Sequence, residues 1–149
     1  MEKLEERIVK DIMSAMKEKN EIKLSALRSV KTAVQNEKTS GTFHELTDAD
    51  VTKIIQKQIK QRIESEEIYH SAGRNELAEK EEKERLVLEE YIPKQLTEEE
   101  LNTIVNELVK SLNATTIKDM GKVMGELNKQ YAGRVDGKKA SVLIKSLLN

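Results

Sequence analysis

Leu4, Ile8, Ile12 and Met16 stand four residues apart with charged side chains between them, and Val51, Ile55, Ile59 and Ile63 repeat the interval. Leu24, Leu27, Val30 and Val34 keep to steps of three and four. Such spacing gathers apolar groups on one side of an α-helix, whereas a half-buried strand would alternate them every second position. Charged residues make up 36% of the chain, against about 25% in an average domain, so the stripes must be narrow and the remaining helix surface ionic. Leu, Ile, Val and Phe still number 38 of 149, above the roughly 20% below which chains stay disordered. Aromatics are 3%, tryptophan is absent and Pro93 is the single proline, which removes the usual material of sheets and tight turns. The pattern predicts an all-α protein.

Local signals divide the chain. Helices are expected from about Leu4 to Lys19, with a break at Asn20, and from there to the Thr39-Ser40-Gly41 turn. Thr47-Asp48-Ala49-Asp50 reads as the start of a third helix running to about Ser71, since a threonine followed three residues later by an acid caps free amides. Lys53, Lys57 and Lys60 fall on its solvated side. Ala72-Gly73-Arg74-Asn75 is a stop with glycine at the left-handed position, and a fourth helix follows over about Glu76 to Tyr91. Its middle, EKEEKER at 79–85, has no apolar stripe and is expected to be exposed and held by pairs four residues apart. Pro93 ends this part, because the residue before a proline avoids helical geometry. The expected organisation is a four-helix domain over 1–92 and a three-helix bundle over 93–149. The latter has caps at Thr97 (with Glu100), Thr116 (with Asp119) and Asp136, and ends near Leu148.

Several chemistries lack their residues. Disulfides, thiolate metal sites and cysteine nucleophiles need cysteine, and there is none. No serine stands in a GxSxG elbow, and Gly121 and Gly125 belong to a helical GxxxG rather than a phosphate loop. Glu67 and His70 match one half of a carboxylate-bridged diiron set, which needs a second such pair and two more inward carboxylates. The run Glu79 to Glu84 offers carboxylates, but acid–base work requires burial that splits their pKa values, and a charged helix face is not expected to give it. The expectation is no catalytic centre, no metal and no cofactor. Nor is there an apolar run of the ~20 residues that cross a bilayer, and the opening MEKLEERIVK alternates charge where a secretory signal is apolar. A cytoplasmic protein without a membrane partner is expected.

Net charge is only −1, yet its distribution is uneven: residues 1–92 hold 17 basic and 20 acidic groups, residues 115–149 hold 7 and 3. At about 100° per residue, placing Lys118 at 0° sets Lys122 near 40° and Lys129 near 20°, one line on the sixth helix. Met120, Val123, Met124, Leu127 and Tyr131 lie opposite, and Gly121 and Gly125 lie beside the lysines. A glycine inside a helix costs about 1 kcal/mol relative to alanine, so two of them beside a basic line point to a close approach by a phosphate backbone or a partner helix. Plain solvated charge is the third reading. Arg134, Lys138 and Lys145 follow the Gly133 turn, and Lys138 and Lys145 stand seven apart, opposite Leu143 and Leu147, so that a single basic surface is conceivable. A lattice of cations with few aromatics suits structured RNA read by shape rather than unpaired bases.

KDMGKVMGELNKQYAGRVDGKKASVLIKSLL (118–148) resembles the C-terminal tail motif of the GatB/YqeY family, and LSALRSVKTAVQNE (24–37), SAGRNELAEKEEKE (71–84) and LEEYIPKQLTEEEL (88–101) resemble its YqeY part. The resemblance implies an all-helical, two-part protein whose second part is similar to the tail domain of the B subunit of the glutamine-dependent tRNA amidotransferase, a tRNA-contacting appendage. It marks Lys118, Gly121, Lys122, Gly125, Gly133, Arg134 and Gly137 as motif positions that meet tRNA. With Lys129, Lys138 and Lys145 from the charge pattern, these form the candidate RNA-binding set. The implied role is an accessory protein associated with tRNA or with a tRNA-modifying or aminoacylation complex. The alternatives are the carbon–nitrogen ligase activity with glutamine as amido-N-donor by which the family is labelled, and a protein-interaction scaffold built on the GxxxG face.

Overall fold

The computed structural model describes residues 2–148. Among these residues the chain is all-α: α1 (Leu4–Glu18), α2 (Glu21–Lys38), α3 (Asp48–Ser71), α4 (Asn75–Glu89), α5 (Glu98–Ser111), a 3-10 turn (Ile117–Asp119), α6 (Met120–Gln130) and α7 (Gly137–Leu147). No described helix is long and apolar enough to cross a membrane. The helices fall into two compact units that divide between Ile92 and Pro93.

In the first unit the breaks follow from local chemistry. Lys19 takes a left-handed φ of 57°, and Asn20 Oδ1 accepts from the Lys23 amide at 3.1 Å, which starts α2. Thr47 Oγ1 accepts from the Asp50 amide while Asp50 Oδ2 accepts from the Thr47 amide, a reciprocal cap on α3. Gly73 supplies the φ of +73° that turns the chain from α3 into α4. The core gathers Ile8, Ile12, Leu27, Val30, Val34, Val51, Ile55, Ile59, Leu88 and Tyr91. Two residues of the four-spaced stripes leave it: Met16 is 53% exposed and Ile63 is 41% exposed. Each step of four residues overshoots a full turn by about 40°, so a stripe kept for three steps drifts roughly 120° off the core. Ala15 takes the inward place on α1.

On α3 the drift turns polar residues inward, and this corrects the expectation for 79–85. Glu79, Lys80, Glu82 and Lys83 are exposed as expected, but Glu81, Glu84 and Arg85 turn towards α3 and pair with it. Arg62 Nη1 donates to Glu81 Oε2 at 3.2 Å and also to Glu84 Oε2. Arg85 reaches Glu66. One pair does run along α4, from Arg85 to Glu89 at 2.9 Å. The Glu84 side chain is 5% exposed, so an ionic layer, flanked by Ala78 and Leu88, joins α3 to α4.

The second unit packs α5, α6 and α7 around Leu101, Val105, Leu108, Val123, Leu127, Val135, Ala140, Ile144 and Leu148. Thr97 and Glu100 cap α5 reciprocally, and Asp136 Oδ1 accepts from the Lys138 and Lys139 amides at the start of α7. The sixth helix begins later than its cap motif predicts. Asp119 Oδ2 draws in the amides of Thr115 (3.0 Å) and Thr116 (3.3 Å), and the Asp119 amide bonds the Thr116 carbonyl at 2.9 Å. This tightens 117–119 into a 3-10 turn, and the α-helix proper starts at Met120. Leu147, expected to face the core, is largely outside it, with Ile144 in the inward position.

Candidate nucleic-acid interface

Val123 and Leu127 are fully buried and Met120, Met124 and Tyr131 pack against the same core. The opposite side of α6 therefore points to solvent, and it carries Lys122 and Lys129, both exposed, seven residues apart. Lys118 is also exposed, but it sits on the 3-10 turn, where residues advance about 120° each. Its place relative to Lys122 is thus set by the Asp119 turn and not by one continuous helical wheel. No acidic group pairs with Lys118, Lys122 or Lys129 within ion-pair distance among the described residues. The Lys122 ammonium donates to the Leu112 carbonyl at 3.4 Å, which props it over the turn entering α6. The nearest carboxylate in sequence, Asp119, is occupied by backbone: the Thr115 and Thr116 amides, helped by the charge of Lys122, hold its pKa below the ordinary carboxylate value.

Gly121 and Gly125 lie on this outward side and are exposed. A Cβ built at either meets nothing within 4 Å. The protein's own packing thus does not require glycine at these two places, and bare backbone is presented to whatever approaches. Gly137, at the start of α7, is equally open.

The remaining candidates divide. Lys138 and Lys145 are exposed on the outward side of α7, with Val142 between them. The two lysine pairs lie on the solvent sides of two different helices that share one core. Gly133 has a φ of +75° and its carbonyl accepts from Gln95 Nε2 at 2.7 Å; it shapes the turn before α7. Arg134 is half-buried, donates from Nε to the Lys94 carbonyl at 2.8 Å and lies over the Tyr131 ring at 5.7 Å. These two positions tie the loop to the chain just after Pro93. Lys139, beside the candidate set, is paired with Glu98 at 3.4 Å.

His70 is exposed, its Nδ1 3.1 Å from Asn75 Oδ1, and among the described residues no three acidic or histidine side chains converge to hold a metal ion. A cleft that the sequence does not announce lies in the first unit, lined by Ser29, Gln58, Gln61, Arg62, Ser65 and Glu81. Its residues are scattered over three helices, and only the spacing of Gln58, Gln61, Arg62 and Ser65, a polar stripe beside the apolar one on α3, hints at it.

An all-α protein of two helical units, with an outward cationic helix side in the second, is the class this fold defines. The chain belongs to the Yqey-like protein family, whose model matches residues 5–148. It is 31% identical over 147 residues to a protein of Pyrenophora tritici-repentis named altered inheritance of mitochondria protein 41, mitochondrial, covering 95% of this chain and 79% of that one. A protein of the same name from Clavispora lusitaniae is 28% identical over 128 residues, covering 82% and 72%.

Proposed function

We propose that the second unit docks on structured RNA, with tRNA or a tRNA–enzyme complex as the partner, and that the chain serves as an accessory factor without a catalytic centre of its own. The observation that carries this is the outward side of α6, where Gly121 and Gly125 leave backbone open beside Lys122 and Lys129, with Lys118 exposed on the 3-10 turn that precedes the helix. Glycine there weakens the helix without relieving any internal clash, so a close external approach accounts for it. The neighbouring cations give that approach a sign: a phosphate backbone. Tyr131 is half-buried against the core with Arg134 over its ring, which favours contact with folded RNA over stacking on unpaired bases. The resemblance of residues 118–148 to the amidotransferase tail domain supports tRNA among structured RNAs.

The test is filter retention of labelled tRNA across a salt series. Lys118→Glu with Lys122→Glu should abolish retention at low salt while leaving the helical signal unchanged. Replacing the same two lysines by alanine should reduce the slope of log affinity against log salt by about two. Retention unchanged by the charge reversal overturns the reading. Glutamine- and ATP-dependent amidation of misacylated tRNA by the purified chain would replace it with the carbon–nitrogen ligase alternative.

A further inference from the structure

The two flanks of α1 face different neighbours. Arg7 and Asp11 lie on one and meet Tyr91, whereas Glu5 lies on the other and pairs with Lys38 at the far end of α2. Turning outward from Glu5 at about 100° per residue, Met16 comes at roughly 20°, Val9 at roughly 40° and Met13 at roughly 80°. These three are 53%, 39% and 58% exposed, so an uncovered apolar strip about two turns long follows the outer edge of the α1–α2 contact. The same rotation on α2, outward from Lys38, brings Lys31 at roughly 20°, Leu24 at roughly 40° and Arg28 at roughly 80°. The chain turns back at Lys19 and Asn20, and Lys38 meets Glu5, so the two helices run antiparallel. Leu24 is then level with Met16, Arg28 with Met13 and Lys31 with Val9, as the opposite bank of one trough.

Both banks are cationic. Arg28 and Lys31 on α2, and Lys10 and Lys17 beyond Met13 on α1, are exposed. Among the described residues Lys17, Arg28 and Lys31 have no carboxylate within ion-pair distance, and Lys10 has a loose contact with Glu2 at 3.7 Å. The acids nearby are engaged: Glu5 holds Lys38, Glu6 accepts from the Lys3 amide, and Glu21 sits in the first turn of α2, where the helix N-terminus attracts it. Val9, Met13 and Met16 stand at i, i+4 and i+7, the anchor spacing of a groove that seats a helix, and methionine adapts its shape to what packs on it. The cations select the charge of the occupant. A bilayer needs apolar groups on the crest of the helix pair, but here Lys10 and Lys17 take the crest of α1 and Val9 and Met16 lie below it. We propose that this trough is a docking site for an acidic amphipathic helix of a partner protein. Its apolar stripe lies on Val9, Met13 and Met16, and its carboxylates meet Lys17, Arg28 and Lys31. The site belongs to the first unit and does not depend on the RNA reading.

The test uses the intact chain with labelled methionine methyl groups, followed by NMR. The probe is a synthetic helix of about 18 residues, five turns, with leucines three and four apart and glutamates beside them; a second peptide has lysine in place of each glutamate. Saturable shifts of the Met13 and Met16 methyls are expected with the acidic peptide and not with the basic one, while Met120 and Met124, in the second unit, stay as they are. Met13→Glu should abolish binding. Arg28→Glu with Lys31→Glu should weaken the acidic peptide about tenfold and admit the basic one. All three positions are exposed, so the helical signal should be unchanged. Absence of saturable shifts, equal affinity for the two peptides, or unaltered affinity in the charge-reversed variant overturns the proposal. Shifts produced only by vesicles of anionic lipid would overturn it in favour of a membrane, and a dimer that Met13→Glu dissolves in sedimentation would overturn it in favour of a second copy of this chain.

Discussion

Arg85 grips Glu66 across the α3–α4 pair with two parallel hydrogen bonds, Nε to Oε2 at 2.7 Å and Nη2 to Oε1 at 3.1 Å. The fork of a guanidinium matches a carboxylate in this geometry, and both side chains are more than four-fifths covered. The hydrogen bonds that Arg85 donates to Glu66 raise its pKa further above its already high value, against the opposing effect of burial. Together with Arg62, Glu81 and Glu84, the pair does on this stretch what leucines do nearer the core: it fixes which side of α4 faces α3.

Removing one partner should therefore be worse than removing both. Arg85→Ala leaves the Glu66 carboxylate covered and unpaired, and is expected to lower the unfolding free energy by about 2–3 kcal/mol, somewhat under the value for fully buried pairs. Glu66→Met with Arg85→Met keeps volume without charge and should cost less than the single change. Urea unfolding of the three variants checks the order, and an additive double variant would show that the two side chains act independently.

Tyr91 presents a second long-range tie. Its hydroxyl donates to Asp11 Oδ2 at 2.6 Å, and Arg7 lies over the ring at 4.4 Å. Burial, then the bond to Asp11, raises the phenol pKa above its ordinary 10.0. A group whose pKa is raised on folding contributes stability that is complete below the unfolded value and fades as pH climbs through the folded one. Tyr91→Phe is expected to cost about 1–1.5 kcal/mol at neutral pH, and its deficit should shrink above pH 10. Chemical denaturation at pH 7 and pH 11 measures both.

Local rules made the caps legible. Thr47 with Asp50 and Thr97 with Glu100 are three residues apart and meet whatever the rest of the chain does. The drift of a four-residue repeat is also contained in the sequence, yet where Met16 and Ile63 leave the core depends on how long α1 and α3 stay in contact with their neighbours. The ionic layer was illegible for a different reason. Arg62 and Glu84 are 22 residues apart, and nothing in EKEEKER says that a guanidinium on another helix awaits it. The candidate RNA side divides the same way. Periodicity placed Lys122 and Lys129 opposite Val123 and Leu127, whereas the bond of Arg134 to the Lys94 carbonyl and the pairing of Lys139 with Glu98 belong to the folded bundle alone.

The reciprocal caps set the acid limit. Hydrogen bonds from the Thr47 backbone and side chain lower the pKa of Asp50, those from Thr97 lower Glu100, and the Thr115 and Thr116 amides lower Asp119, from ordinary values of 3.8, 4.5 and 3.8. Carboxylates with depressed folded pKa values contribute stability above the unfolded value and lose it as pH falls through the folded one. The urea midpoint should hold from pH 7 to about pH 5 and decline below about pH 4. Glu100→Gln should make that decline shallower, and an unchanged acid profile in this variant would remove the cap from the account.

Gly125→Ala separates stability from binding. The position is helical and open, with nothing within 4 Å of a built Cβ, so the methyl group introduces no clash and improves helix propensity. The folded protein should gain about 0.5–1 kcal/mol, visible as a higher melting temperature. If RNA approaches this strip of backbone closely, the same methyl group stands in the way, and tRNA retention should fall while Lys122, four-fifths of a turn away, keeps its charge and exposure. Alanine at Ser14, an exposed position on α1 in the first unit, provides the control and should leave retention as it is. A variant that becomes more stable and binds tRNA as before would mean that the bare backbone of α6 is not where RNA lies.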